Sequence, residues 1–261
     1  MIDFEYKERY DFNDLVKVME ILRQECPWEG AQTHASMRQY LLEEAYELAE
    51  AIDLDDKKLL REELGDLLMH VVSHTNIERE AGCFDIDDVA DGVCRKMIER
   101  SPHVFGSGEA ATPEEVDAKW QDIKRREKGQ NSHSDAIDAV AKSLPALIRA
   151  RKVLSKAERG GFGFADEDEA WAKFREEITE LHASTGKKSA EEELGDVLLA
   201  LVSIAEKKGI DPEEALERAT ARFARRFRYV EEEALKNGEQ TEEMPAYELD
   251  RLWSAAKQSG L

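Results

Sequence analysis

The chain carries one acidic helical pattern twice. The first copy spans residues 41–68, LLEEAYELAEAIDLDDKKLLREELGDLL, and pairs Glu44 with Glu47 and Glu63 with Asp66. The second spans residues 174–198, FREEITELHASTGKKSAEEELGDVL, and pairs Glu177 with Glu180 and Glu193 with Asp196. A spacing of three sets both carboxylates of a pair on one face of a helix. Like charges so placed repel unless a cation sits between them. Two such helices, joined by a short turn and packed antiparallel, would bring four carboxylates to one spot. The pattern therefore predicts an all-α chain of two similar halves, each holding a site for a hard divalent cation.

An isolated Glu-x-x-Glu says little in a chain with 58 acidic residues, where most such pairs mark a solvated face. An exposed face does not explain why Leu-Gly-Asp recurs inside both copies, at residues 64–66 and 194–196. Gly65 and Gly195 fall mid-helix, where glycine costs roughly 1 kcal/mol against alanine. Close approach of another helix or of a phosphate is the expected reason. All-carboxylate ligation suits Mg²⁺ or Mn²⁺ rather than zinc. A di-iron bundle would use Glu-x-x-His, which the chain lacks. Mg²⁺ held this way commonly shares its shell with substrate phosphates.

The repeat extends further. Lys96 with Arg100 returns as Arg222 with Arg226, and Asp117 with Trp120 returns as Asp250 with Trp253. The basic pairs, each on one helix face, could grip phosphate oxygens or line a surface salt-bridge face. The tryptophans are either core residues or stacking platforms for a base, with Trp120 leaning to core. His70 and His74 follow Asp66 on the same helix and suggest a metal half-site, but their counterparts are Ala200 and Ile204. Structural or solvent-facing histidines are the expectation there. No Walker A loop, GxGxxG or supported catalytic triad is present.

Composition narrows the partners. The net charge of −21 opposes binding to nucleic acid or to anionic membranes. Three cysteines, Cys26, Cys83 and Cys94, have neither the number nor the spacing of a disulfide framework or zinc site. MIDFEYKERYDF shows no basic stretch leading into an apolar run, and no run approaches a membrane span. A reduced, soluble, cytoplasmic protein is expected.

Periodicity predicts helices over about 13–23, 37–52, 58–79, 84–100, 113–128, 144–158, 167–183, 189–207, 211–236 and 243–257, with Asp85 capping one of them. CPWEGAQTHAS, SPHVFGSGEAATP and RGGFGF read as breaks and loops. The polar stretch GQNSHSD reads as a linker, giving a first domain over 1–128, a linker over 129–140 and a second domain over 141–261. No strand is predicted.

These residues resemble a known family. CPWEGAQTHASMRQYLLEEAYEL, EELGDLL and RKMIERSPHVFG resemble the first domain of tandem MazG proteins, and LPALIRARKVLSKAERGGFGF, EELGD and ARFARRFRYVE resemble the second. The similarity covers nearly the whole chain. It implies an all-α nucleoside triphosphate pyrophosphohydrolase: Mg²⁺-dependent hydrolysis of NTPs and dNTPs to the monophosphate and pyrophosphate, by a homodimer whose helices complete four-helix bundles. Carried over by position, Glu177, Glu180, Glu193 and Asp196 would be the catalytic metal ligands. Glu44, Glu47, Glu63 and Asp66 would match them in the first half. Lys173, Glu176, Lys188, Arg222, Arg226 and Trp253 would contact the nucleotide, with Lys96 and Arg100 their first-half analogues. The chain departs from the family where Arg222 and Ser189 replace expected lysines, although Lys187 and Lys188 stand just before the latter. Tyr40 occupies the position of Lys173, which leaves the first half one cation short.

On this reading Mg²⁺ neutralises the triphosphate and a glutamate orients or deprotonates the water that attacks the α-phosphorus. Lys173 and Arg226 would hold the leaving phosphates, and the second half would carry most turnover. The role implied is control or cleansing of nucleotide pools. Two alternatives stand beside it: a non-catalytic nucleotide-sensing helical module, and a narrow-specificity dUTPase-like pyrophosphatase.

Overall fold

The structure is a computed structural model that describes residues 4–261; Met1, Ile2 and Asp3, at the head of the stretch searched for a leader, lie outside the described residues. Among the described residues it is helical without strands. The chain divides into two compact units, residues 1–124 and 125–261. The first contains α1 (Phe12–Glu25), α2 (Pro27–Gly30), α3 (His34–Asp53), α4 (Lys57–Glu80), α5 (Ile86–Arg100), α6 (Pro102–Phe105) and most of α7 (Pro113–Glu127). The second contains α8 (His133–Asp138), α9 (Ala146–Arg159), α10 (Glu167–Ala183), α11 (Lys187–Lys207), α12 (Pro212–Lys236), a 3₁₀ turn (Thr241–Glu243) and α13 (Ala246–Gln258).

Each unit is built on a helical hairpin, α3 against α4 and α10 against α11. The reversals use the same device with different residues. Between α3 and α4, Asp55 takes a left-handed φ of 53°, and the Asp56 side chain then accepts from the Lys58 and Leu59 amides at 2.9 and 3.1 Å. Aspartate is one of the few L residues that tolerates this region. Between α10 and α11 the same sign of φ, 89°, falls on Gly186, where no Cβ opposes it. The helix that follows starts without a side-chain cap.

The breaks read from sequence hold more helix than expected. CPWEGAQTHAS contains α2 and the start of α3, where Thr33 and Ser36 form a capping box. Arg23 organises this stretch. Its Nη1 donates to the Glu29 and Gln32 carbonyls, each at 2.8 Å, and its Nε to Glu80 at 3.0 Å, fastening α1, α2 and α4 together. SPHVFGSGEAATP contains α6. The linker over 129–140 contains α8, capped by Ser132 and Asp135, because serine followed by aspartate three residues on satisfies two amide donors reciprocally.

The cores are small. Met19, Met37, Ala51 and Val72 are buried in the first unit. In the second, Val230, Ala234 and Leu252 cluster with Met244, Leu249 and Trp253 where α12 meets α13. Gly65 and Gly195 correct the sequence expectation: a Cβ built on either meets nothing within 4 Å. Among the described residues no other helix approaches them closely.

Arg23 is mostly enclosed and its partners include two backbone carbonyls. Arg23→Ala is expected to cost about 2 kcal/mol, read as an earlier urea transition with an unchanged denaturant slope.

Candidate active site

The hairpins do bring carboxylates together, three in each unit. In the first, ligand oxygens of Glu44, Glu63 and Asp66 lie within 4.8 Å of one another; in the second, those of Glu177, Glu180 and Glu193 do. One residue of each expected foursome stands outside that radius, Glu47 in the first unit and Asp196 in the second, both exposed. Both still act on the cluster electrostatically: Glu47 raises Glu44 and Glu63, and Asp196 raises Glu193.

The two clusters relieve their repulsion differently. In the first unit, burial and then the charges of Asp66, Glu47 and Glu63 push the Glu44 carboxyl from 4.5 up to about 7. Glu63, buried at 6% exposure, is raised by burial and then by Glu47 and Asp66, and its Oε2 is enclosed without a hydrogen-bond partner. In the second unit Lys173 Nζ lies 2.6 Å from Glu177 and 2.7 Å from Glu176. Hydrogen bonds to Glu176 and Glu177 raise the Lys173 ammonium above its ordinary range. Tyr40, at the matching place, supplies no charge. Glu193 is raised, first by burial and then by Glu180, Glu177 and Asp196.

A divalent cation fits both clusters. The donors are all oxygens and they converge; Glu44, Glu63 and Glu193 are raised, first by burial and then by their carboxylate neighbours, and Glu63 Oε2 in the first cluster is orphaned and buried. These are properties of a site shaped for positive charge.

The expected nucleotide contacts are dispersed. Lys188 is exposed, with Glu192 3.9 Å away. Arg222 is exposed on α12, while Arg226 Nε donates to the Leu261 carbonyl at 2.6 Å. Trp253 packs on the small core of the second unit, its ring 5.0 Å from that of Phe223, so it serves the core in this structure. In the first unit Lys96 is half-buried and Arg100 is buried with its guanidinium 5.5 Å from the Trp120 ring. Arg100 is thus enclosed against an aromatic face rather than presented on a phosphate-binding surface, because the planar guanidinium tolerates burial on a ring.

Comparison with known proteins agrees with this architecture. The description "MazG nucleotide pyrophosphohydrolase domain" matches residues 32–105 and again residues 169–230. The chain belongs to the MazG nucleotide pyrophosphohydrolase family. Each matched MazG segment contains one of the two carboxylate clusters. A relative from Thermotoga maritima named nucleoside triphosphate pyrophosphohydrolase/pyrophosphatase MazG is 41% identical, over 94% of this chain and 95% of its own. The nucleoside triphosphate pyrophosphohydrolase of Escherichia coli K12 is 36% identical over 93% of this chain and 95% of its own. Bacillus subtilis YabN, an uncharacterised protein, is 41% identical over 90% of this chain, which spans about half (48%) of that relative.

Sequence reasoning missed one member of the MazG fold's first unit. His34 Nδ1 lies 2.7 Å from His74 Nδ1, across 40 residues of chain. No local spacing signals a pair so far apart in sequence.

The raised Glu44 has a consequence for stability. The folded chain holds a proton there at pH values where the unfolded chain, at the ordinary glutamate value, has released it. Stability from this group is therefore lost as pH rises from about 4.5 toward 7. Glu44→Gln is expected to flatten that decline and to unfold at a higher temperature than the parent at about pH 8 in chelator, with little difference at about pH 4. Thermal unfolding at both pH values checks it.

Proposed function

We propose that the chain is a Mg²⁺-dependent nucleoside triphosphate pyrophosphohydrolase, with Mn²⁺ as a substitute, that converts NTPs and dNTPs to the monophosphate and pyrophosphate. The supporting observation is the pair of all-carboxylate clusters, each inside a matched family segment. The proposed setting is the cytoplasm, acting on free nucleotides; no helix among the described residues is long and apolar enough to cross a membrane.

Glu177, Glu180 and Glu193 would hold the cation in the second unit, with Asp196 next to them, and Glu44, Glu63 and Asp66, with Glu47 adjoining, in the first. When bound, the cation supplies charge neutralisation for the triphosphate and Lewis-acid polarisation of its oxygens. Glu193, held above the ordinary carboxylate range, takes a proton from the water that forms the new bond to the α-phosphorus. The bond between the α-phosphorus and its bridging oxygen to the β-phosphorus breaks, and pyrophosphate departs. Lys173, already 2.6 Å from Glu177, stands beside the cluster to hold the leaving phosphates, with Arg226 and the exposed Arg222 and Lys188 as further cations. Glu176 keeps Lys173 oriented. Trp253 supports the helix that carries Arg222 and Arg226.

The second unit is proposed to carry most turnover. The first has Tyr40 in place of Lys173, and its Arg100 is buried on Trp120. Loss of one transition-state charge contact costs on the order of 10²–10³ in rate. Glu177→Gln is therefore expected to lower Mg²⁺-dependent pyrophosphate release by about that factor, and Glu44→Gln far less. A nucleotide panel assayed for pyrophosphate tests both the reaction and the specificity. Orthophosphate appearing first would overturn the mechanism. Silence with every nucleotide would favour a sensing module, and activity on dUTP alone a narrow-specificity pyrophosphatase.

The same proposal includes a homodimer. Leu64, Leu68 and Val71 on α4, and Leu194, Leu198 and Leu201 on α11, are exposed at spacings of four and three. Each set makes a stripe along one helix, and Gly65 and Gly195 sit beside the two stripes with open space above them. Light scattering should give twice the chain mass of 29.7 kDa. Leu68→Asp combined with Leu198→Asp should shift the chain to monomer; a parent chain that is already monomeric removes the dimer from the proposal.

A further inference from the structure

The end of α9 gathers cations in a chain that is otherwise strongly acidic. Lys152, Lys156 and Arg159 are four and three residues apart on the last two turns of that helix, so they share a face. Lys128 joins them from outside the helix. Arg125 Nη1 lies 3.4 Å from His133 Nε2, and a Cβ added to Gly160 would meet His133 Cγ at 3.0 Å. The end of α7, the start of α8 and the end of α9 are thus pressed together within the second unit. Lys128, between Arg125 and His133 in the chain, is carried in with them. Lys156 is half-buried, and burial followed by the charges of Arg159, Lys128 and Lys152 lowers its ammonium.

The first unit shows the same place satisfied. Arg23 stands twenty-one residues before Glu44, as Lys156 stands before Glu177. The Arg23 guanidinium is met by Glu80 and by two backbone carbonyls. Glu80 comes fourteen residues after Asp66, but fourteen after Asp196 comes Ile210, so the second unit has lost the acid. It has also added charge of the same sign: Lys152 and Arg159 stand where the first unit has Met19 and Cys26. Among the described residues the ammonium groups of Lys128, Lys152 and Lys156 make no hydrogen bond or ion pair. The acid nearest them in sequence on α9, Glu158, is turned to Lys207, with Oε1 2.5 Å from Nζ.

A helix C-terminus favours cations by about 0.3–1 kcal/mol each. That accounts for Lys156 and Arg159 in the last turn. It gives no reason to replace the acidic partner by isoleucine or to bring in a further lysine from another element. The glycine-rich turn adds an aromatic group. Gly161 takes a φ of 83°, and the Phe162 amide donates to the Ala157 carbonyl at 2.9 Å, so the chain folds back on the end of α9. The Phe162 side chain is left 85% exposed.

We propose that Lys128, Lys152 and Lys156, with Arg159 beside them, form a second anion site, for a diphosphate or longer phosphate group. A multiply charged phosphate has oxygens enough to face several ammonium groups at once, each acting as a point charge. Its charge would offset the repulsion that the cations now exert on one another. Lys207, the partner of Glu158, lies at the far end of α11 from Glu193, roughly 21 Å along the helix at about 1.5 Å per residue. The site is therefore apart from the carboxylate cluster of the same unit. The phosphate group could come from inorganic pyrophosphate or from the tail of a nucleotide. Phe162 tells these apart, because only a nucleotide has a base to stack on it.

The test uses the full chain with a chelator present, so that no metal bridges phosphate to the carboxylates. Inorganic pyrophosphate is titrated by calorimetry, and then ATP in its place; neither arm depends on turnover. One anion per chain should bind, more weakly as salt is raised. Lys152→Gln combined with Lys156→Gln should weaken binding roughly 10–100-fold. Lys173→Gln, beside the carboxylates, should leave it unchanged. Lys128→Gln with Lys152→Gln, both exposed, carries the same test if the first pair does not fold. ATP that binds no tighter than pyrophosphate and ignores Phe162→Ser assigns the site to an inorganic ion. ATP that binds more tightly and loses the gain in Phe162→Ser assigns it to a nucleotide. No binding of either, or binding kept in the lysine pairs and lost in Lys173→Gln, would overturn the proposal.

Discussion

The structure depends on holding carboxylates closer together than water would leave them. Each hairpin places acidic side chains from two helices within a few ångströms, and nothing in helix packing favours that by itself. The repulsion has to be met by a proton, a cationic side chain or a metal. The first unit meets it by protonation, with Glu44 held up to about 7. The second meets it with Lys173, which sits on Glu177 at 2.6 Å and holds an ammonium group inside the cluster's field. A protonated carboxyl and a tethered ammonium occupy the electrostatic place that a divalent cation takes more completely, since two charges on one small ion can face several oxygens at once.

That requirement explains much of the surrounding fold. Carboxylates on opposite helices converge only if the reversal is short and the two helices run antiparallel in a set register. A left-handed residue, Asp55 in one turn and Gly186 in the other, gives both reversals. Downstream of the clusters the buried face of α11 is small or apolar, with Ala200, Val202 and Ile204, whereas that of α4 sets Val72 among His70, Ser73, Thr75 and Asn76. On the outer faces the leucine stripes stay uncovered, and the glycine one residue after Leu64 and after Leu194 has open space above it. Glycine in the middle of a helix is unfavourable by itself. Its presence beside an uncovered apolar stripe is what the proposed dimer would use.

The helices and the acidic sites were legible in the sequence because both depend on short-range spacing. A three-residue interval fixes which side chains share a face, and Asp85 and the Leu-Gly-Asp repeat are local signals of the same kind. Less visible was which of four carboxylates would converge. Glu180 enters the second cluster and its counterpart Glu47 stands outside the first, while Asp66 enters the first and Asp196 does not. Which of them converge depends on how each helix is turned toward its partner, and spacing does not report that. Arg100 and Trp253 were read as groups that could reach a ligand, yet one lies on an aromatic ring and the other in a core. A basic or aromatic residue four from another looks the same in sequence whether its face is turned outward or inward. The small capped helix α8 was hidden for a related reason: Ser132 and Asp135 are both polar, and the cap they form depends on their exact interval rather than on composition.

The two units show how one frame accepts different chemistry at matched positions. Where the second unit joins its hairpin by Glu167 and Lys208, the first uses His34 and Glu78, with the acidic partner moved to the opposite helix. The exchange preserves an attraction between α3 and α4 but replaces a permanently charged lysine by an imidazole, which has a second nitrogen left to use. That nitrogen faces His74, a substitution for the isoleucine of the other unit. Two of these changes act together: imidazole opposite isoleucine would be an unsatisfied polar group against an apolar wall, whereas imidazole opposite imidazole gives a nitrogen-to-nitrogen hydrogen bond at 2.7 Å. The first unit thus lost a cationic contact at Tyr40 and acquired nitrogen donors two turns of helix beyond its carboxylates, while the second kept its lysine and an apolar floor.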